Sequence, residues 1–196
     1  MNSKIVVFMP SIEGGGVEKN LFLVCNYLSK KFKKIKIITI SKKYKKKFDN
    51  SVDVITFSFD LFDRFSRRIK YLLSIILLIR EILKDREILV FSFQANLYCI
   101  AICKLFSVKV ISRSNSAPIG WSKNFLKKQI FKIVLNLSDL VIVNSYQFKN
   151  DLKKEFNVKA KTIYNPLNKI EIFKKTRQKA RKIFDTKKKL RILNIG

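Results

Sequence analysis

Short runs of β-branched and aromatic residues alternate along this chain with longer segments whose apolar positions recur every three or four residues. Residues 4–9, 35–40, 52–57, 88–93, 108–112, 140–143 and 161–164 read as strands. Residues 17–32, 62–84, 97–106, 123–137 and 146–156 carry the helical period. Strands that are apolar almost without interruption, each separated from the next by a helix, indicate a parallel sheet covered on both faces. The expected fold is therefore α/β, a doubly wound, Rossmann-like parallel sheet. Such folds bind ligands beyond the carboxyl ends of the strands, so the turns after strands hold the informative residues.

Two stretches depart from that rhythm. Residues 69–83 are the longest apolar segment, but they carry Lys70, Arg80 and Glu81 and fall short of the ~20 residues that span a bilayer. They read as a buried or membrane-skimming helix with an apolar row of Phe65, Ile69, Leu72, Ile76, Ile79 and Leu83, entered through Arg64, Arg67 and Arg68. After Asn165-Pro166 the chain turns polar and basic over residues 169–189, with one weak helical segment. Residues 190–196 then look like a new first strand running into a glycine turn. This pattern predicts a domain over 1–168, a basic linker over 169–189, and the opening strand of a second, truncated domain over 190–196. The run 5–9, broken by Pro10, is too short for a signal peptide and has no small-residue cleavage site, so none is expected.

Composition narrows the chemistry. The chain has 196 residues, with 42 Lys and Arg against 14 Asp and Glu, a formal charge of +28 and no histidine. Without histidine, Ser-His-Asp and Cys-His catalysis, a His general base and a His-ligated zinc site are excluded within these residues. Lysine greatly outnumbers arginine, and Ile, Asn and Phe are also heavily used, a bias that A/T-rich codons account for in part. The charge still attracts anionic partners: lipid headgroups, nucleic acid or nucleotide phosphates. No RRM, KH, helix-turn-helix or zinc signature accompanies it, so no specific nucleic acid is expected as a partner. Cys25, Cys99 and Cys103 have no disulfide-framework spacing and read as reduced core thiols of a cytoplasmic protein.

The loop after the first strand reads Ser11-Ile12-Glu13-Gly14-Gly15-Gly16-Val17-Glu18. Glycines permit positive φ and close approach by a ligand, and the helix that follows offers unpaired N–H groups to an anion. A phosphate or a sugar hydroxyl fits this description; so does a tight turn that binds nothing. The spacing fails the G-x-G-x-x-G of a dinucleotide fold, and Ile40 is followed by Ser41-Lys42-Lys43 rather than a ribose-binding acid. A P-loop's Lys-Ser/Thr is missing as well.

Several separated pieces, taken in order, resemble one family. Val7-Phe8-Met9-Pro10 with Gly14-Gly15-Gly16-Val17-Glu18, then residues 138–145 (Ser-Asp-Leu-Val-Ile-Val-Asn-Ser), then residues 163–168 (Ile-Tyr-Asn-Pro-Leu-Asn) look like the amino-terminal half of a glycosyltransferase family 4 enzyme of the GT-B fold. The tail Ile192-Leu193-Asn194-Ile195-Gly196 resembles the strand opening that family's carboxy-terminal domain. The resemblance implies two Rossmann-like domains facing across a cleft, the amino-terminal one binding the acceptor and the other holding most of a nucleotide-sugar. It implies transfer of a hexose-like sugar without a metal or other cofactor. Gly14, Gly15 and Gly16 would approach the donor diphosphate, and Glu18 would lie near the helix start, where a first-turn acid also favours the helix dipole.

The glutamate pair that the family uses on the donor belongs to the carboxy-terminal half and has no counterpart here. Many relatives carry histidine in the loop after the fifth strand, where this chain places Asn115. Arg113 in that loop would face a phosphate or an anionic acceptor, or else form an ordinary salt bridge. The helix over residues 122–137 is basic on one side through Lys123, Lys127, Lys128 and Lys132 and apolar on the other, with Trp121 and Phe125 at its start. It reads either as an interfacial helix on an anionic membrane or as a core helix with solvated lysines. The expected function is the acceptor half of a glycosyltransferase. It would move sugar from a nucleotide-sugar to a cell-surface glycan or lipid-linked precursor at the inner face of the cell membrane, and would be inactive without its second domain. The alternative is a non-catalytic basic module of the same fold that binds membrane or nucleic acid.

Overall fold

The computed structural model describes residues 4–58, 65–116 and 124–177. The chain divides into two compact units, Met1–Pro166 and Leu167–Gly196. The first unit runs β1 (Lys4–Phe8), α1 (Gly16–Leu28), β2 (Lys34–Ile38), a 3-10 helix (Lys42–Lys47), β3 (Val52–Ile55), α2 (Arg67–Lys84), β4 (Leu89–Ser92), α3 (Asn96–Leu105), β5 (Lys109–Ser114), α4 (Phe125–Asn136), β6 (Leu140–Val143), α5 (Tyr146–Phe156) and β7 (Ala160–Thr162). In the second unit the described helix is α6 (Lys169–Thr176). The expected strand at 190–196 and most of the expected linker lie outside the described residues.

The seven strands form one sheet in the order β3-β2-β1-β4-β5-β6-β7, every neighbouring pair parallel. This is the doubly wound parallel sheet that the strand–helix alternation predicts. Strand order reverses between β1 and β4, the position at which folds of this type bind ligands beyond the carboxyl ends of the strands. Alternate side chains of β1 serve opposite layers. Val6 and Phe8 join the cluster formed with α2, α3, α4 and α5, whereas Ile5 and Val7 join the cluster under α1. Cys25, Cys99 and Cys103 are buried free thiols, as their spacing implies; burial pushes the Cys25 thiol up to about 12.

The starts of α2 and α4 shift inward from the periodic pattern. The helix expected over 62–84 is described from Arg67, and residues 59–64 are outside the described set. α4 begins at Phe125, where the Asn124 side chain accepts the Lys127 N–H at 3.2 Å, a cap that fixes the start. Ser145 caps α5 in the same way through the Phe148 N–H at 3.1 Å.

The apolar row of the second predicted helix, read as buried or membrane-skimming, does not line the core. Ile69, Leu72, Ile76 and Leu83 of α2 are exposed, and a different set, Leu77, Leu78 and Ile82, packs on the sheet. α2 is apolar on two sides, and the core takes the row that also contains Ser74 and Glu81.

Candidate functional site

The site is built where β1, β2, β4 and β5 end. After Phe8 the chain continues in register past the sheet: the Met9 N–H donates to Ile38 O and the Phe93 N–H donates to Phe8 O. The turn is then clamped from two sides. Ser11 N–H donates to Gln94 Oε1 at 3.0 Å, and Ile12 N–H donates to Ser41 Oγ at 3.1 Å. Gly14 takes φ +93, a conformation that only glycine adopts freely, and the chain enters α1 through Gly15 with no side-chain cap.

The three glycines have different surroundings. A Cβ on Gly14 would meet Tyr44 Oη at 2.8 Å, and one on Gly15 would meet Glu18 Oε2 at 2.9 Å. One on Gly16 would meet nothing within 4 Å. Glu18 is buried against the turn and accepts the Glu13 N–H at 3.4 Å. Its carboxylate therefore serves the Glu13 amide of the turn rather than the helix start, and the open space lies at Gly16. Arg67 bridges to the turn from α2, donating through Nε to Glu13 Oε1 at 3.1 Å and through Nη2 to Glu13 Oε2. That bond to Arg67 holds the Glu13 carboxyl below its ordinary value.

Arg113, at the end of β5, is only 2% exposed. The salt-bridge reading of this residue is not realised: among the described residues it makes no ion pair. Its Nε donates to Asn115 Oδ1 at 3.2 Å, its Nη2 donates to Asn165 Oδ1 at 2.6 Å, and the guanidinium lies 5.6 Å from the Phe93 ring centroid. Burial pulls its pKa below the ordinary arginine value, yet arginine stays charged at every physiological pH. A buried cation held by two amide oxygens and a ring, with no carboxylate, has charge left to offer an anion. Asn115 is oriented by donating its Nδ2–H to Phe93 O at 3.0 Å, and Asn96 donates to Arg113 O at 2.8 Å while accepting from Ser92 Oγ at 2.8 Å. The chain thus links the glycine turn to the Arg113–Asn115 pair through the 93–96 segment.

Other expected residues fall elsewhere. Ser138 and Asp139 sit before β6, at the opposite end of the sheet: Asp139 Oδ2 accepts the Val110 N–H at 2.7 Å and the Lys104 ammonium at 2.6 Å, and Ser138 Oγ donates to Val110 O at 3.1 Å. They fasten strands. Lys128 pairs with Glu155 at 2.9 Å, while Phe125, Lys127 and Lys132 are exposed on α4. Trp121 and Lys123 lie outside the described residues. Gln94 and Tyr44 were not singled out in the sequence, and Arg67 only as part of the basic start of α2; each reaches the turn from a distant segment, a contact that no local pattern announces. Among the described residues no three His, Cys, Asp or Glu stand together as a metal site.

Several solved structures share this fold. Anabaena HepE in complex with UDP-glucose is 14% identical with TM-score 0.57, the match covering 84% of this chain and 44% of that one. Glycyrrhiza uralensis UGT73P12 complexed with glycyrrhetinic acid 3-O-monoglucuronide is 9% identical with TM-score 0.59, covering 83% and 49%. Phytolacca americana UGT2 with UDP-2fluoro-glucose and pterostilbene gives 11%, 0.53, 84% and 53%. The chain spans about half the length of these structures, and its fold is that of a GT-B glycosyltransferase amino-terminal domain. It belongs to glycosyltransferase family 4, whose profile matches residues 14–169. No curated protein matches the sequence.

Proposed function

We propose that this chain is the acceptor-side half of a glycosyltransferase that moves a sugar from a nucleotide-sugar to a glycan or lipid-linked acceptor at an anionic membrane surface. In this reading residues 1–168 form the acceptor domain, 169–189 the linker and 190–196 the first strand of a donor-binding domain. The observation that carries the proposal is the turn Gly14–Gly16, open on its Gly16 side at the start of α1 and tied through Gln94 and Phe93 to a buried, acid-free Arg113. The open N–H groups and helix dipole suit the departing diphosphate. Arg113 and Asn115 suit an acceptor's anionic group and hydroxyls, and transfer then depends on positioning the hydroxyl against the anomeric carbon. The site within this chain offers no histidine as base, so the acceptor proton goes to Glu18, to the departing phosphate or to a group on the donor side. The reading invokes no metal.

The test is titration of the 196-residue chain with UDP-glucose, alongside the protein that carries a second α/β domain after Gly196. The isolated chain is expected to bind weakly and transfer nothing, and the two-domain protein to transfer sugar. Robust transfer by the isolated chain overturns the division of labour. A two-domain protein that neither binds nor transfers any nucleotide-sugar leaves the non-catalytic module.

A further inference from the structure

The outer surface of the helical layer has a composition that the acceptor reading does not use. α2, α3 and α4 pack side by side on one face of the sheet. α2 turns Ile69, Leu72, Ile76 and Leu83 outward, at 64% exposure for Leu72, 56% for Ile76 and 61% for Leu83. α3 adds Tyr98 and Leu105, and α4 adds Phe125, Leu126, Ile130, Ile133 and Leu137, all exposed. The α2 row steps by three, four and seven, and Leu126, Ile130, Ile133 and Leu137 step by four, three and four. Each is therefore a continuous helical stripe rather than scattered apolar residues.

Charge decides what such a surface can meet. The only acidic side chain on these three helices is Glu81, which is buried and bonded to Lys36 and Lys84. Arg68, Lys70 and Arg80 on α2 and Lys127 and Lys132 on α4 make no ion pair among the described residues. A second copy of this face would bring cations against cations. A single acidic helix would cover one row and leave the other bare. Two apolar rows on non-adjacent helices, interspersed with unpaired Lys and Arg, match a plane that is apolar within and anionic at its surface. No described helix is long and apolar enough to cross a membrane, which leaves a helix layer lying in the headgroups.

We infer that the outer faces of α2, α3 and α4 form one lipid-binding surface for an anionic leaflet, with the α2 row as its second half. The inference rests on the membrane reading of α4 and extends it two helices across the layer. Bound this way, the sheet lies over the membrane on its α2–α5 side.

The test is partition of the 196-residue chain onto phosphatidylcholine vesicles with and without phosphatidylglycerol. The triple variant Leu72→Gln, Ile76→Gln, Leu83→Gln removes the α2 row, and Lys127→Gln with Lys132→Gln removes α4 charge. All five positions are exposed, and circular dichroism checks that each variant folds. The α2 variant is expected to lose at least about tenfold in partition to anionic vesicles. Leu72→Cys gives a second readout independent of that variant: the native thiols are buried, so an environment-sensitive dye labels position 72 selectively, and its emission is expected to shift blue on anionic vesicles. Parent-like binding by the α2 variant with an unshifted dye, while the α4 variant loses binding, overturns this inference and leaves the α4 reading standing. No binding by the parent overturns both. A parent dimer in lipid-free solution that becomes monomeric in the α2 variant assigns the row to a second copy and overturns the lipid assignment.

Discussion

Gly14, Gly15 and Gly16 are adjacent in sequence and unlike in what they tolerate. Gly14→Ala places a side chain at φ +93 and against Tyr44 Oη, so it is expected to cost about 1–2 kcal/mol of stability, read as a lower urea midpoint. Gly16→Ala enters open space at the first residue of α1, and replacing glycine by alanine there is expected to leave stability unchanged or raise it by up to about 1 kcal/mol. The same methyl stands where the diphosphate is proposed to approach, so UDP-glucose affinity of the two-domain protein is expected to fall while the midpoint does not. Unchanged affinity in Gly16→Ala would remove the glycine turn from the donor site. The glycine run made a turn with positive φ legible, but not that Gly14 alone takes it. Arg113's partner Asn165 was not, because the two are 52 residues apart and asparagine carries no charge to mark it as the counterpart of a buried guanidinium.

At the scale of elements, the three-and-four periodicity located each described α-helix of the sheet domain, though not the 3-10 helix Lys42–Lys47, and not which side of a helix faces inward. α2 has two apolar rows, and the sheet takes the one whose polar members are small or paired. Glu81 shows why this works: burial opposes its ionisation, but bonds from Lys36 and Lys84 outweigh that and hold its carboxyl below 4.5. Because the folded-state pKa is depressed, the stability it contributes is present above the unfolded value and lost as pH falls through the folded one. Glu81→Gln is expected to cost about 1.5–3 kcal/mol at pH 7, with the gap to the parent closing as pH drops below 4.5. A gap that stays constant into acid would assign the loss to packing. At the start of α3, Ala95 sits at φ 55 with no side-chain cap. Relief of left-handed strain there exceeds glycine's entropic cost, so Ala95→Gly is expected to raise stability by roughly 0.5–1 kcal/mol.

Across the whole molecule, the parallel sheet follows from the alternation of apolar runs and helices though its strand order does not, and the meaning of the +28 charge does not follow from its size. Position is what separates its parts. Some lysines are committed to structure, as Lys36 is with Glu81 and Lys104 with Asp139; others, in the 42–47 helix, crowd one end of the sheet edge; those on α2 and α4 stand beside apolar rows. The two kinds of membrane attraction respond differently to salt. Screening shortens electrostatic reach to ~8 Å at physiological ionic strength and further above it, while apolar burial is little affected. Partition onto anionic vesicles is therefore expected to fall steeply with added salt and then level at a residue of binding. Changing Lys127, Lys128 and Lys132 to Gln lowers the steep part and leaves the level; changing Leu72, Ile76 and Leu83 to Gln lowers the level and leaves the slope. Binding that vanishes with salt in the parent would mean that charge alone holds the protein to lipid, and a steep part unmoved by the α4 change would place that charge on cations elsewhere, those of α2 or of the 42–47 helix.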